Sequence, residues 1–209
     1  MITKKIVVGL AKTNINYGLD KSAQFSSISN ELSSLQIKNL DTSQSYQNSS
    51  KFIANIKKRK KLKIYTKLPF ISSSKNKSIE KKIIENINLQ LKLNKVDCFE
   101  GVFLHDPSMP LNKKNWNSVY KTLKTLKKNK IIKNIGISVY NTFELKNILK
   151  VFIPDIIQFP LNIFNQDFCD DALLSELKRK KIKLFARSIF LQGAIFKKIY
   201  NKNKYFSLW

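Results

Sequence analysis

Glycine is scarce in this chain. Five occur in 209 residues, against a usual share of about 7%. The scarcity bears on one fold class directly. Gly9 stands alone after the first apolar run, with no G-x-G-x-x-G around it, so the fingerprint of a doubly wound dinucleotide fold is missing. Arginine is scarcer still. Arg59, Arg179 and Arg187 are the only three, so 36 of the 39 basic residues are lysine. The net charge of +25 invites a nucleic-acid partner. Yet the forked guanidinium that reads base edges and phosphates is nearly missing. The lysines spread along almost the whole chain among abundant Asn, Ile and Ser, as compositional bias would place them. The one dense run, IKKRKKLK at 56–63, reads as a solvated helix end leading into a strand. No specific nucleic-acid partner is expected.

Other absences narrow the class further. Cys98 and Cys169 are the only cysteines, far apart, with no CxxC and no histidine nearby. Both read as small buried hydrophobes. Apolar runs such as KIVVGLA at 5–11 are far too short to span a bilayer. No signal-peptide pattern opens the chain. The expectation is a soluble, cytoplasmic protein with no membrane partner. Hydrophobic residues make up 43%, enough for one sizeable domain with a real core.

What is present is a repeated alternation. Strand-length apolar runs occur near 5–10, 37–41, 62–66, 98–104, 134–138, 156–159 and 184–188. Several are continuously apolar, as parallel strands covered on both faces are. Helical stripes lie between them. Ile79, Ile83, Ile87 and Leu91 recur every four residues, and Trp116, Val119, Leu123 and Leu126 follow a three-four spacing. Asn141 with Glu144 three residues on forms a capping-box pattern. Leu173, Leu174 and Leu177 mark one more helix. Strand and helix alternating about seven times predict an α/β fold with a parallel sheet. In a (β/α)8 TIM barrel, chemistry sits at the C-terminal ends of the strands. Those ends carry Asp41 with Tyr46 in the following loop, then Lys67, His105, Ser138, Gln158 with Asn162 beyond, and Arg187 with Ser188. Each alone has an ordinary structural explanation, as a cap, a turn or a rim residue. Together they place a polar group at the same end of nearly every strand.

Asp, Tyr, Lys and His in this order resemble the aldo-keto reductase superfamily. LDTSQSYQNS at 40–49 is similar to its DTAxxYGxSE motif, YTKL at 65–68 to its TKL motif, and FLHDP at 103–107 to its LxHxP segment. IKNIGISVYN at 132–141 resembles IRAIGVSNF, and IIQFPLNIFN at 156–165 resembles xxQxxYN. RSIFLQG at 187–193 and NYGL at 16–19 are similar to a bacterial branch associated with polysaccharide and surface-sugar genes. The resemblance runs from about Lys5 to Gly193.

The resemblance implies an oxidoreductase that reduces an aldehyde, ketone or sugar carbonyl with NADPH or NADH and no metal. Tyr46 would be the general acid, Asp41 and Lys67 its supporting ion pair, and His105 would orient the carbonyl. Ser138 and Gln158 would hold the nicotinamide carboxamide. Arg187 stands where many members stack an aromatic side chain on the nicotinamide, and Ser188 would approach the pyrophosphate. The chemistry is coherent: a phenol near pKa 10 is a poor acid at neutrality, and a nearby ammonium favours its ionised form.

The pattern also departs from the family's. Gln47 replaces a glycine, Ser50 a glutamate, and Val139 an asparagine. No counterpart of the eighth strand or of the IPGxSxxxQxxxN-like segment follows the seventh, and KYFSLW closes the chain at 204–209. The expected fold is thus a barrel truncated after its seventh strand, forming one C-terminally incomplete domain over 1–209. It would be a fragment of a complete reductase, a truncated product or a diverged relative. The alternative function is a catalytically inactive reductase-like scaffold or binding protein.

Overall fold

The computed structural model describes residues 5–11, 25–71 and 76–196. The NYGL and KYFSLW stretches lie outside them. Seven strands, β1 (Val7–Gly9), β2 (Asn39–Asp41), β3 (Lys63–Leu68), β4 (Gly101–Leu104), β5 (Ile135–Ser138), β6 (Ile156–Pro160) and β7 (Lys183–Arg187), lie side by side in chain order. Every neighbouring pair is parallel. Between them run α1 (Phe25–Ser34), α2 (Ser49–Asn55), α3 (Asn76–Asn94), α4 (Lys113–Lys128), α5 (Thr142–Leu149) and α6 (Asp171–Arg179). All seven predicted strands are present. The fourth starts later than expected because Phe99 makes only an isolated bridge to Ile132. The basic run after α2 is a single exposed 3-10 turn, Arg59–Lys61, leading into β3, as its composition predicted.

The sheet is strongly curled. The Tyr65 and Phe185 rings lie 4.8 Å apart, although β3 and β7 are four places apart in the sheet. In a flat sheet that separation is roughly 19 Å. Side chains alternate between faces, so the strand register sorts them. Val7, Tyr65, Phe103, Ile156 and Phe185 point inward and pack together as a plug. Outward residues such as Leu40, Ile64, Leu104, Ile137 and Ile157 join the larger core beneath the helices. This is a (β/α) barrel architecture of seven strand units. Among the described residues β1 and β7 do not pair, so the sheet stays open there. Leu184, on the outer face of β7, is accordingly 39% exposed, whereas Leu40 and Ile157 are fully buried.

Two of the few glycines serve the plug. A Cβ on Gly101 would lie 2.8 Å from Tyr65, and one on Gly136 would lie 2.5 Å from Phe103. Both strands must stay bare there for the aromatic rings to fit.

Glycine scarcity shows at the helix ends. Gln36, Lys95, Lys130 and Lys181 adopt left-handed backbone just after α1, α3, α4 and α6, a position where glycine is usual. Each helix closes with the same bond, from the amide of Ile37, Val96, Ile131 or Ile182 back to the carbonyl of Leu32, Leu91, Leu126 or Leu177. A leucine five residues before a β-branched residue thus marks four helix ends. A left-handed side chain costs about 1–2 kcal/mol, partly offset by glycine's larger unfolded-state entropy of about 0.4–1 kcal/mol. Lys130→Gly is therefore expected to stabilise the protein by about 0.5–1 kcal/mol in urea unfolding. A loss of stability would contradict this assignment.

Asn141 caps α5 as predicted, its Oδ1 accepting from the Glu144 amide at 2.8 Å, while Glu144 Oε2 reaches one residue beyond the N-cap and accepts from the Tyr140 amide at 2.8 Å. Neither cysteine is buried as expected. Cys169 is exposed and Cys98 is half-buried. Cys169 lies in the turn just before α6, where Asp170 caps the helix and Phe168 takes the buried position.

Candidate active site at the C-terminal ends of the strands

Register places six of the predicted residues on the inner face. Asp41 ends β2, Ser138 ends β5, and Arg187 ends β7. Lys67, His105 and Gln158 share their parity, because Lys67 pairs with inward Phe103, His105 is two residues past it, and Gln158 pairs with Ser138. Lys67 Nζ donates to both Asp41 oxygens at 2.7 Å and to the Thr42 carbonyl at 3.3 Å. The Lys67 side chain is 4% exposed and that of Asp41 12%. Gln158 Nε2 reaches across the barrel to Asp41 Oδ2 at 3.2 Å, and Ser138 Oγ donates to Gln158 Oε1 at 3.2 Å. The predicted ion pair and the predicted amide site therefore form one connected cluster.

Tyr46 arrives from the loop after β2. Lys67 Nζ lies 5.0 Å from its ring centroid and is hydrogen-bonded to it. The loop is pinned from inside: Thr42 Oγ1 donates to Ser49 Oγ at 2.9 Å, and Ser49 Oγ donates to the Tyr46 carbonyl at 2.8 Å. The left-handed residue of this loop is Asn48, not Gln47. Gln47 in place of the family's glycine therefore carries no backbone penalty.

The charges are tuned. Burial opposes the Lys67 ammonium, but the Asp41 carboxylate, Tyr46 and the hydrogen bonds to both outweigh it and raise its pKa above the ordinary 10.5. The stability it contributes is present below pH 10.5 and is lost as pH rises through the folded value. His105 is half-buried, and burial first, then Lys67, lower its pKa below 6.5; Arg187 adds to this, while Asp41 and Asp106 oppose it. It is thus a neutral imidazole at pH 7. Its contribution has the opposite sense: stability is full above pH 6.5 and falls as pH drops from there through the folded value. Titration of the single imidazole by proton NMR is expected to give a midpoint below 6.5. A midpoint above 6.5 would contradict the geometry. Tyr65, also inward, is a different phenol. Burial, with help from Glu100, pushes it up to about 12, and it serves the aromatic plug.

Arg187 lies against Tyr140, its guanidinium carbon 4.6 Å from the ring centroid. Nη2 donates to the Val139 carbonyl at 3.3 Å and Nη1 to Ser188 Oγ at 3.5 Å. The loop beyond is left-handed at Ser188, Leu191, Gln192 and Gly193, a concentration of strained backbone of the kind found at ligand sites. Asn162 stands apart. Its side chain accepts the amides of Phe164 and Asn165 and closes a tight turn, so it is a structural residue.

Sequence reasoning missed Thr42, Ser49 and Tyr140. The first two looked like loop filler, although each is at most 1% exposed. Among the described residues no helix could cross a membrane, and no group of three or more His, Cys, Asp or Glu could hold a metal ion.

The arrangement has counterparts. The model of the aldo/keto reductase family matches residues 5–208. A glycerol dehydrogenase from Gluconobacter oxydans superposes with a TM-score of 0.69 at 19% identity, over 95% of this chain and 63% of its own. The holo form of an aldo-keto reductase from Bacillus halodurans gives 0.71 at 15% identity, over 95% and 66%. A Bombyx mori aldo-keto reductase in complex with NADP gives 0.62 at 15% identity, over 88% and 62%. The chain thus spans less than two thirds of the length of these three structures. No match was found among the curated proteins.

Proposed function

The chain belongs to the aldo/keto reductase family, and from that premise we propose that its barrel mouth is the site of an NAD(P)H-dependent carbonyl reductase. One observation carries the reading: a buried ammonium, Lys67, held between the Asp41 carboxylate and Tyr46, with the half-buried His105 just past the end of the next strand. A bound nicotinamide would supply the hydride. Tyr46 donates a proton to the carbonyl oxygen as negative charge builds there. Lys67 supports that donation by favouring the phenolate left behind, and Asp41 keeps Lys67 charged and in place. His105, neutral, donates a hydrogen bond to the same oxygen and fixes the carbonyl's angle. Ser138 and Gln158 suit the carboxamide of the cofactor, since one supplies a hydroxyl and the other an amide at the buried floor of the site. Arg187 and Ser188 complete the cofactor side.

The substrate class is a small aldehyde, ketone or sugar carbonyl. The RSIFLQG stretch supports a place in the surface-sugar branch of the family. The domain extends over 1–209, and the activity belongs to a barrel whose gap between β1 and β7 is filled. That gap also favours a second reading, a scaffold that binds a partner strand along its open edges and does no chemistry.

Titrating NADPH with the purified chain and following its fluorescence separates the two. The reductase reading expects saturable binding, weakened about tenfold by Gln158→Leu. Absence of binding up to millimolar cofactor would favour the scaffold.

A further inference from the structure

Gln90 sits where an aliphatic residue would be expected. It continues the buried Ile79, Ile83 and Ile87 stripe of α3 and is 2% exposed. A buried amide is unfavourable unless its bonds are made, and here they reach β3 at Thr66 and Lys67 and, through Asn86, the loop of Tyr46. Gln90 Oε1 accepts from Thr66 Oγ1. Its Nε2 donates to the Lys67 carbonyl at 3.2 Å and to Asn86 Oδ1 at 2.7 Å. Asn86 Nδ2 donates to Gln44 Oε1 at 2.7 Å. Gln44 lies two residues before Tyr46 in the same loop. Asn94 Nδ2 in turn donates to the Gln90 carbonyl at 2.7 Å, one turn further along α3. One helix thus holds, through two adjacent amides, both the backbone of Lys67 and the loop that carries Tyr46.

We propose that Asn86 and Gln90 of α3 are positioning residues that keep the Tyr46 loop in register with Lys67. The inference rests on the reading of Tyr46 as the proton donor. It goes beyond that reading by assigning the placement of the pair to a helix remote from the substrate. Thr42 and Ser49 hold the loop on its inner side. The Gln90–Asn86–Gln44 chain holds the outer side and is the only one of the two ties that also grips Lys67's own strand through a side chain of another element.

The test uses Asn86→Ala, because Asn86 is only half-buried and Gln90 keeps its bonds to β3 when Asn86 is shortened. A small misplacement of an acid from its partner costs one to two orders of magnitude. The kcat for carbonyl reduction is expected to fall about tenfold, with the Kd for NADPH unchanged. Tyrosine-labelled NMR, with the Tyr46 signal assigned by its loss in Tyr46→Phe, reads the placement without turnover. In Asn86→Ala that phenol is expected to titrate at higher pH, as contact with the ammonium loosens. Asn86→Asp should restore most of both properties, since the Gln44 amide can turn to donate to the carboxylate. Gln44→Ala should reproduce Asn86→Ala, and the double variant should be no worse than either. Unchanged kcat and unchanged Tyr46 titration in Asn86→Ala would overturn the proposal. Full turnover in Tyr46→Phe would overturn the donor role itself, whatever Asn86→Ala does.

Discussion

Tyr46→Phe is expected to lower kcat for carbonyl reduction by about a thousandfold and to leave NADPH binding intact. The phenylalanine keeps the ring, and with it the contact at 5.0 Å from Lys67 Nζ. It removes only the hydroxyl. If the loss were instead in cofactor affinity, Tyr46 would be a rim residue that shapes the pocket. Tyr65 is no substitute for it: it points into the same barrel, but burial pushes its pKa up to about 12. Steady-state kinetics together with a fluorescence titration of NADPH separate the two effects.

The second large effect concerns Lys67. Lys67→Met leaves the Asp41 carboxylate, among the described residues, with Gln158 Nε2 alone to satisfy it. Removing one partner of a buried pair costs about 3–5 kcal/mol, whereas replacing both by apolar groups is often neutral or stabilising. The double variant Asp41→Leu with Lys67→Met is therefore expected to recover most of the stability lost in the single variant. Neither variant should reduce carbonyls. Stability restored without activity would show that this ion pair is retained for chemistry and not for the fold. Urea unfolding and turnover, measured on the same preparations, check both halves.

The order of elements was legible because it rests on periodicity. β4, β5 and β6 are almost wholly apolar, and the four-residue stripe of α3 has no competing explanation. α1 and α2 were not legible: the first is half serine and the second is a short SSKFIAN. Their apolar positions are too few to stand out, and packing against the sheet decides them. The site residues were legible as a set, since strand parity carries alternate residues to one face and the barrel brings the strand ends together. What lay beyond reach was the cross-barrel bond from Gln158 to Asp41 and the amide chain on α3. Those depend on curvature and on rotamers, which no spacing rule encodes. The Schellman endings could have been read, from a leucine five residues ahead of Ile or Val, but lysine or glutamine at the left-handed position disguised them.

The most direct test of the account is isotopic. NADPH deuterated at the transferable position of its nicotinamide is incubated with the chain and a panel of small aldehydes and sugar carbonyls, and the products are analysed by mass spectrometry. The account predicts an alcohol carrying one deuterium on the former carbonyl carbon, formed by the wild type and lost in Tyr46→Phe. Alcohol formed without deuterium, or no alcohol from any carbonyl while NADPH binds saturably, would contradict it.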